Sequence, residues 1–313
     1  MTALHSETSL LNEDDRTYLV QLLKQRVTFD APLAPLTSWK IGGPADALAN
    51  IESERELAET LRRTFRRKLP WMVLGSGSNL LVGDGGVRGI VIRLSGSFTK
   101  IAISAQENEV IVEAGASASV ALLVAQGASH GALGIGSLAG IPGSVGGALR
   151  MNAGTDREFG DFVKEVWVQS PARPQTHAVT PQYFYRHTTL ARDAVVARAT
   201  LAFERGDSST VRAEMQSRLV RRKATQPLAW PNAGSCFRNP PGDAAGRLIE
   251  AAGAKGWRLG GAEVSPLHAN FIVNRDNASA SDVAGLLARV RRAVAERFDV
   301  ELELEVHFVG VFV

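Results

Sequence analysis

Residues 133–154 read LGIGSLAGIPGSVGGALRMNAG, and a second glycine-rich stretch, LGSGSNLLVGDGGVRG, occupies residues 74–89. Seven of the 22 residues in the first stretch are glycine. Glycine loses more backbone entropy on ordering than any other residue, so this density argues against an ordinary helix or strand. We predict that residues 133–154, and residues 75–79 after a short buried strand, form loops that approach a ligand closely.

Neither loop matches a nucleotide-binding motif by itself. No Gly-Lys-Ser/Thr follows either loop, Gly75 and Gly77 lack a third glycine, and Gly134, Gly136 and Gly140 have one residue too many in the second gap. A tight surface turn would explain either loop alone. Two such loops from two small α+β units favour a long ligand between them, because exposed backbone N–H groups suit a pyrophosphate. FAD, NAD and a sugar nucleotide remain open on the residues alone.

Outside these loops, the pattern alternates helices with strands. Apolar residues at helical spacing predict the clearest helix at 281–298, and Asp243 is expected to cap a helix that carries Leu248 and Ile249. Strict alternation of apolar and polar residues over 300–308 predicts a strand. Further helices are predicted at 12–25 and 211–222, and further strands at 45–51, 89–94, 101–104, 110–114, 163–169 and 194–203.

The composition limits the class of protein. The chain has 313 residues, 45% of them hydrophobic, a formal charge of +3 and one cysteine, Cys236. The charge is too small to argue for a nucleic-acid partner, and one cysteine permits no intrachain disulfide. The N-terminus lacks an apolar core, and no apolar run is long enough for a membrane span. We therefore expect a cytoplasmic protein.

Seven motifs carry a resemblance to a known family. They are Thr37-Ser-Trp-Lys-Ile-Gly-Gly-Pro-Ala45, LGSGSNLLVGDGGVRG, GIPGSVGGALRMNAG, Tyr185-Arg186, Asn232-Ala-Gly-Ser-Cys-Phe-Arg-Asn-Pro240, His268-Ala-Asn-Phe-Ile-Val-Asn274 and LELEVHFVG. In this order and spacing, the set resembles the UDP-N-acetylenolpyruvoylglucosamine reductase family from about residue 30 to the C-terminus.

The resemblance implies an α+β protein with a vanillyl-alcohol-oxidase/PCMH-type FAD-binding fold of two α+β subdomains and a C-terminal α+β substrate-binding domain. We place an N-terminal helix at 1–25, the FAD-binding subdomains at 26–96 and 97–206, and the substrate-binding domain at 207–313. The short segment between Arg186 and the strand near Ala194 resembles the second type of the family, which lacks an extra loop carrying a substrate-contacting tyrosine.

The implied activity is the NADPH-dependent, FAD-dependent reduction of UDP-N-acetylglucosamine enolpyruvate to UDP-N-acetylmuramate in peptidoglycan synthesis. By motif, the catalytic residues are Arg186, Ser235 and Glu305. Hydride addition to the enolpyruvyl group would develop an enolate, which Arg186 would stabilise through the carboxylate. Ser235 would deliver the proton, and Glu305 would act in its protonated form or fix a partner. Thr188 and Arg150 stand where the family usually has a serine and a bulky residue.

The resemblance also implies the ligand-binding residues. The cofactor-binding residues are Gly75, Ser76, Gly77, Ser78, Asn79, Leu80, Gly140, Ile141, Pro142, Gly143, Ser144, Gly146, Gly147, Asn152, Ala153 and Gly154. The substrate-binding residues are Tyr185, Lys223, Gln226, Asn239 and His268. We assign no metal, no membrane partner and no nucleic acid, and we expect a monomer.

Without the resemblance, each candidate has a plainer explanation. Arg186 could be a surface ion-pair partner, Ser235 a turn residue, and Glu305 part of a solvated acidic strand face with Glu301 and Glu303. Arg218, Arg221, Arg222 and Lys223 could form a solvated helix face. Cys236 is expected to be a small buried thiol rather than a nucleophile. Another flavin oxidase or dehydrogenase of the same fold, or a non-catalytic nucleotide- or nucleic-acid-binding protein, is the alternative function.

Overall fold

The computed structural model describes residues 9–313, so the N-terminal unit predicted at 1–25 is seen from residue 9 onward. Helix α1 (Glu13–Leu23) begins after Asn12, whose side chain accepts a hydrogen bond from Asp15 N at 2.9 Å. Leu19 and Leu23 are fully buried. The predicted helix is therefore confirmed, although it ends two residues early.

The first α+β unit is built on a four-stranded sheet in the order β1-β2-β5-β3. Strands β2, β5 and β3 run parallel, whereas β1 is antiparallel to β2. Helix α2 buries Leu57 and Leu61 beneath the sheet. The elements are β1 (Val27–Pro32), β2 (Pro44–Ile51), α2 (Glu54–Arg67), β3 (Trp71–Val73), β4 (Leu80–Val82) and β5 (Val87–Leu94).

The second α+β unit is built on a five-stranded antiparallel sheet in the order β6-β7-β12-β8-β9. A hairpin of β10 and β11 lies beside it. Its core is continuous with that of the first unit. The elements are β6 (Ile101–Ala105), β7 (Glu109–Gly115), α3 (Val120–Ser129), α4 (Val145–Met151), β8 (Val163–Gln169), β9 (His177–Val179), β10 (Tyr183–Phe184), β11 (His187–Thr188) and β12 (Val195–Glu204).

The glycine-rich segment 133–154 contains a helix, α4, and the prediction of a loop throughout was wrong there. Ser144 caps the helix by accepting a hydrogen bond from Gly147 N, and Ala148 and Leu149 are buried. Burial of this face outweighs the low helix propensity of glycine. Gly146 also allows close packing, because a Cβ there would lie 3.0 Å from Ala116 Cβ.

The third unit combines helices with a three-stranded antiparallel sheet in the order β13-β14-β15. The apolar stripe of α7 is confirmed, because Val283, Leu286, Leu287, Val290 and Val294 are buried. Helix α5 (Ser208–Thr225) precedes this unit and packs against α3 of the second unit. The elements of the third unit are α6 (Ala245–Ala251), β13 (Arg258–Leu259), β14 (Ala262–Val264), β15 (Ile272–Asn274), α7 (Ala280–Phe298) and β16 (His307–Val309).

The predicted cap of α6 was wrong. The N-cap is Ala244, and Asp243 pairs instead with Arg247 four residues on. Asn239 accepts a hydrogen bond from Ala245 N at 3.0 Å, so its side chain takes over the capping function.

The predicted strand at 300–308 was also wrong over most of its length. Leu304 makes an antiparallel bridge with Phe237, whereas β16 pairs in parallel with β4. The chain therefore changes partner between these two contacts, which ends the strict alternation. Leu304 and Phe308 are 36% and 41% exposed, while Leu302 and Val306 are buried.

Several contacts fix the third unit to the first. Strand β16 joins β4, and Trp39 Nε1 donates to Ile272 O at 2.8 Å. Asp84 accepts hydrogen bonds from Ala280 N and Ser281 N at the start of α7. Trp39 is itself part of the core of the third unit. The loop after β3 and the C-terminal segment are thereby held beside each other.

In residues 9–313, none of the helices has the length and apolar character needed to cross a bilayer.

Candidate active site

The two glycine-rich loops lie side by side, as predicted. Ser78 Oγ donates a hydrogen bond to Pro142 O at 3.2 Å. A Cβ on Gly75 would lie 2.8 Å from Ser144 Oγ, and one on Gly143 would lie 2.9 Å from Ser78 Oγ. A Cβ at either position would therefore require the facing serine hydroxyl to move.

The loops expose the groups that a dinucleotide needs. Within residues 9–313, the backbone N–H groups of residues 75–78 and 143–144 donate no hydrogen bond. A cavity of about 280 Å³ beside them is lined by Gly75, Ser144, Gly146 and Gly147 together with residues of β3 and β12. Free amides and glycine surfaces fit the pyrophosphate of FAD, so residues 75–80 and 140–147 would hold the cofactor here.

Arg150, the departure from the family pattern, lines the same cavity. Its guanidinium donates hydrogen bonds to the carbonyls of Leu190, Ala191 and Ala194. Burial lowers its pKa, and Arg150 forms no ion pair within residues 9–313. Arg150 therefore fixes the segment that leads into β12, next to the predicted flavin site.

Arg186 lies at the tip of the β10–β11 hairpin, in a left-handed conformation with φ +55°. Its Nε donates to Glu305 Oε1 at 2.9 Å, and its Nη1 donates to Glu158 Oε1 at 2.9 Å. Nη1 and Nη2 also donate to Asn152 O and Gly154 O at 3.4 and 3.0 Å. The structure thus brings Arg186 and Glu305 together, although they are 119 residues apart in the chain.

Burial and two arginines act in opposite directions on the pKa of Glu305. Burial raises the pKa of Glu305, while the charge and hydrogen bond of Arg186 and the charge of Arg238 oppose the rise. Its side chain is 17% exposed, unlike the carboxylates of Glu301 and Glu303, at 79% and 76%. Glu305 is therefore distinct from the solvated acidic face that the alternation suggested.

Glu158 forms the second carboxylate of the cluster, and the sequence analysis missed it. Burial raises the pKa of Glu158, and the charge of Arg186 opposes that rise. Asn152 Nδ2 donates to its other carboxylate oxygen at 2.6 Å. Nothing in the local sequence REFGD separates Glu158 from an ordinary surface glutamate, so only the fold could identify it.

Ser235 lies next to this cluster along the backbone. Its neighbour Cys236 accepts a hydrogen bond from Glu305 N at 2.8 Å. The Ser235 hydroxyl is half-buried and makes no hydrogen bond with any of residues 9–313. Burial raises the pKa of Cys236 to about 12, which agrees with a buried, unreactive thiol.

Two asparagines predicted to contact the cofactor also connect the loops to the cluster. Asn79 Nδ2 donates to Glu305 O at 3.0 Å, and Asn79 O accepts from His307 N. The side chain of Asn152 is used by Glu158, Phe184 O and Gly160 N. Its amide therefore supports the hairpin that carries Arg186.

The predicted substrate-binding residues are partly brought together. Lys223 and Gln226 line a cavity of about 720 Å³ at the end of α5, with Trp230 and Arg275 on its wall. Gln226 Oε1 is buried without a hydrogen-bond partner in residues 9–313. An unpartnered buried acceptor beside an exposed lysine is suited to binding a polar ligand.

The other predicted substrate-binding residues lie outside this cavity wall. His268 is half-buried, burial lowers its pKa, and its Nδ1 accepts from Asn270 N. Asn239 is exposed and accepts a hydrogen bond from α6. Tyr185 is 48% exposed, and the Arg186 guanidinium lies 4.8 Å from its ring centroid.

The basic face of α5 is not uniformly solvated. Arg218 pairs with Asp156 and Glu214. Burial lowers the pKa of Arg222, whose side chain lies against Gly140 in the second loop. The interpretation as a solvated helix face is therefore wrong for Arg218 and Arg222, while Arg221 and Lys223 are exposed.

The fold and this site define a flavoprotein oxidoreductase with the FAD-binding fold of the vanillyl-alcohol-oxidase type. Residues 45–169 match the FAD binding domain, and residues 226–309 match the C-terminal domain of UDP-N-acetylenolpyruvoylglucosamine reductase. The chain belongs to the UDP-N-acetylenolpyruvoylglucosamine reductase family.

Individual relatives agree with this assignment. The reductase of Moorella thermoacetica is 45% identical over 291 residues, which cover 92% of this chain and 95% of that protein. The reductase of Myxococcus xanthus is 42% identical over 286 residues, covering 90% and 91%. The crystal structure of the Thermus caldophilus reductase has a TM-score of 0.77 and 36% identity, covering 91% of this chain and 98% of that one.

Proposed function

We propose that this chain reduces UDP-N-acetylglucosamine enolpyruvate to UDP-N-acetylmuramate in peptidoglycan synthesis, using FAD and NADPH. The observation that carries the proposal is the placement of Arg186. Its guanidinium lies between Glu305 and Glu158, and the Asn79 amide joins Glu305 to the first glycine-rich loop. A carboxylate-binding group thus lies next to the residues that would hold the flavin.

Residues 75–80 and 140–147 would hold FAD, and the bound flavin, once reduced by NADPH, would supply the hydride for the enolpyruvyl double bond. Hydride addition at the terminal carbon puts negative charge on the carboxylate side of the substrate. Arg186 would stabilise that charge, because a guanidinium can bind a carboxylate through two parallel hydrogen bonds. The partly buried position of Arg186 strengthens this interaction relative to one in water.

Ser235 and Glu305 would complete the addition. We assign proton delivery at the α-carbon to Ser235, whose hydroxyl is not engaged with any of residues 9–313. In its protonated form Glu305 would support the developing enolate, and burial raises its pKa in the direction of that form. Alternatively, Glu305 would fix Arg186 through the hydrogen bond seen here.

The nucleotide part of the substrate would occupy the 720 Å³ cavity of the third unit. Lys223 has no ion-pair partner within residues 9–313 and could meet the diphosphate. The buried oxygen of Gln226 could accept from a polar group of the substrate. His268, Asn239 and Tyr185 remain further proposed substrate contacts.

The flavin spectrum tests the activity directly. Purified protein should be yellow, lose its flavin absorbance when NADPH is added without oxygen, and regain it when enolpyruvyl UDP-sugar follows. A protein that is bleached but not reoxidised by this substrate would favour another flavin dehydrogenase. A colourless protein that binds no FAD would favour the non-catalytic nucleotide-binding alternative.

We further propose that the chain acts as a cytoplasmic monomer. The single cysteine suits a reducing compartment. We retain units at 26–96, 97–206 and 207–313 as the proposed domains. Size-exclusion chromatography with light scattering tests the oligomeric state, and folding of residues 207–313 alone would test the last boundary.

A further inference from the structure

Most of the hydrogen-bonding capacity of Arg186 is used by the protein itself. A guanidinium carries five N–H donors. Nε donates to Glu305, Nη1 donates to Glu158 and to Asn152 O, and Nη2 donates to Gly154 O. One Nη2 hydrogen is left without a partner among the described residues. A carboxylate that binds through two parallel bonds therefore needs one existing partner to leave.

The carboxylates of Glu158 and Glu305 differ in the number of hydrogen bonds that hold them. Glu158 receives hydrogen bonds from both Arg186 and Asn152, at 2.9 and 2.6 Å. Asn152 is in turn fixed by Phe184 O and Gly160 N. The carboxylate of Glu305 has Arg186 as its one hydrogen-bond partner within residues 9–313. Glu158 is thus the fixed partner, and Glu305 is the exchangeable one.

The position of each bond on the guanidinium supports this distinction. Nε and Nη2 share one edge, on which Glu305 accepts from Nε, and Gly154 O accepts one of the two Nη2 hydrogens. Glu158 binds Nη1, outside the Nε–Nη2 edge. If Glu305 moves off Nε, the edge can bind a substrate carboxylate while Glu158 still holds the other end.

We propose that Glu158 is a positioning residue, which anchors Arg186 through Nη1 so that the Nε–Nη2 edge passes from Glu305 to the substrate carboxylate. This inference rests on the proposed function and deepens it. Without Glu158, Arg186 would have Glu305 as its only carboxylate partner among residues 9–313, and the edge needed by the substrate would be less well oriented. Glu158 itself touches neither the reacting carbon atoms nor the proton that is delivered.

A double-mutant cycle tests this arrangement in the full-length holoenzyme. The variants are Glu158→Ala, Arg186→Ala and the double variant, with Asp156→Ala as the matched control. Asp156 lies two residues from Glu158 and pairs with Arg218 at 2.6 Å, so its removal loosens the same loop without touching Arg186. Binding of enolpyruvyl UDP-sugar to the oxidised enzyme is measured from the flavin difference spectrum, and turnover is measured with NADPH.

We expect Glu158→Ala to lower kcat/KM by about 10²-fold, the scale of a misplaced catalytic group. Flavin content and flavin reduction by NADPH should stay within about twofold of wild type, as should every property of Asp156→Ala. In the Arg186→Ala background, removing Glu158 should weaken substrate binding by less than about twofold, because its effect acts through Arg186.

Equal losses of flavin reduction and substrate turnover would show a purely structural role and overturn the proposal. The proposal is also overturned if removing Glu158 weakens substrate binding by the same factor in the wild-type and the Arg186→Ala backgrounds. If the wild-type enzyme turns over the substrate but the cycle shows no coupling between Glu158 and Arg186, only this inference is contradicted. A wild-type protein that neither binds nor reduces the enolpyruvyl sugar sinks the proposed function and this inference together.

Discussion

At the residue scale, burial shifts the pKa values of the two carboxyl groups that surround Arg186. Glu305 and Glu158 both have raised pKa values because burial disfavours their charged forms. Arg186 offsets part of that cost through charged hydrogen bonds. Such opposing influences are common at functional sites, where a carboxyl group must exchange a proton.

Ser235→Ala should separate the two halves of the reaction. Flavin reduction by NADPH should be unchanged, whereas reoxidation by the enolpyruvyl sugar should slow by about 10²- to 10⁴-fold, the usual contribution of a positioned proton donor. Stopped-flow absorbance measures both rates in one experiment. Equal rates in the variant and the wild type would remove Ser235 from the mechanism.

Arg186→Lys should not be a conservative change. Lysine keeps the charge but cannot satisfy Glu305, Glu158 and a substrate carboxylate with the planar geometry of a guanidinium. We expect kcat/KM to fall by about 10- to 100-fold, equivalent to one charged hydrogen bond of roughly 1.5–3 kcal/mol. Steady-state kinetics provides the measurement, and near-normal turnover would argue against the carboxylate role.

At the scale of elements, the flavin site depends on how closely two loops approach. Gly143 has φ +125°, and a Cβ there would meet Ser78 Oγ at 2.9 Å. The backbone conformation therefore favours glycine at this position, and a Cβ would also displace the Ser78 hydroxyl. Helix α4, which follows directly, buries Leu149 and so anchors the second loop to the core.

Gly143→Ala should reduce the flavin content of the purified protein. Gly242→Ala is the matched control, because Gly242 also has positive φ, at +78°, but nothing lies within 4 Å of a Cβ there. Both variants should lose stability by about 1–3 kcal/mol from backbone strain. Only Gly143→Ala should also lower the ratio of flavin to protein absorbance, and equal flavin loss in both would contradict the loop assignment.

At the scale of the whole molecule, contacts between units place the C-terminal segment against the flavin loops. Strand β16 pairs with β4, and Asp84 accepts hydrogen bonds from the start of α7. His307 lies at this junction, and His268 lies within the third unit. Burial lowers the pKa of the half-buried His268 from 6.5, and partial desolvation together with the charge of Arg238 lowers the pKa of the more exposed His307.

These two histidines should make the protein less stable in acid. Because the folded pKa values are lower than 6.5, the unfolded chain binds more protons as the pH falls below about 6.5. Their contribution to stability is therefore present above this pH and is lost as the pH falls through the folded pKa values. Urea unfolding at several pH values measures the effect.

The matching variants isolate the histidines from the carboxylates of the cluster. When the pH falls from neutral to mildly acidic, the free energy of unfolding should fall less in the double variant His268→Asn/His307→Asn than in wild type. His130→Asn, at an exposed position, is the control and should follow wild type. A double variant with the same acid slope as wild type would show that these rings contribute no pH dependence.

Local sequence patterns predicted the parts of this protein that depend on neighbouring residues. The apolar stripe of α7, the helix α1 and the strand at 45–51 follow from spacing along the chain. The same approach failed for α4 and for residues 300–306. Packing stabilised a glycine-rich helix, and a change of pairing partner interrupted an alternating pattern.

The sequence by itself determined the family, because seven motifs in fixed order leave little freedom, and it predicted the residues that would bind the cofactor. Only the tertiary structure decided that Arg186 meets Glu305 across 119 residues, and that Glu158 completes the cluster. The physical reason is that burial and hydrogen bonding between distant segments depend on the folded backbone. A glutamate has the same local pattern whether it is solvated or fixed beside an arginine.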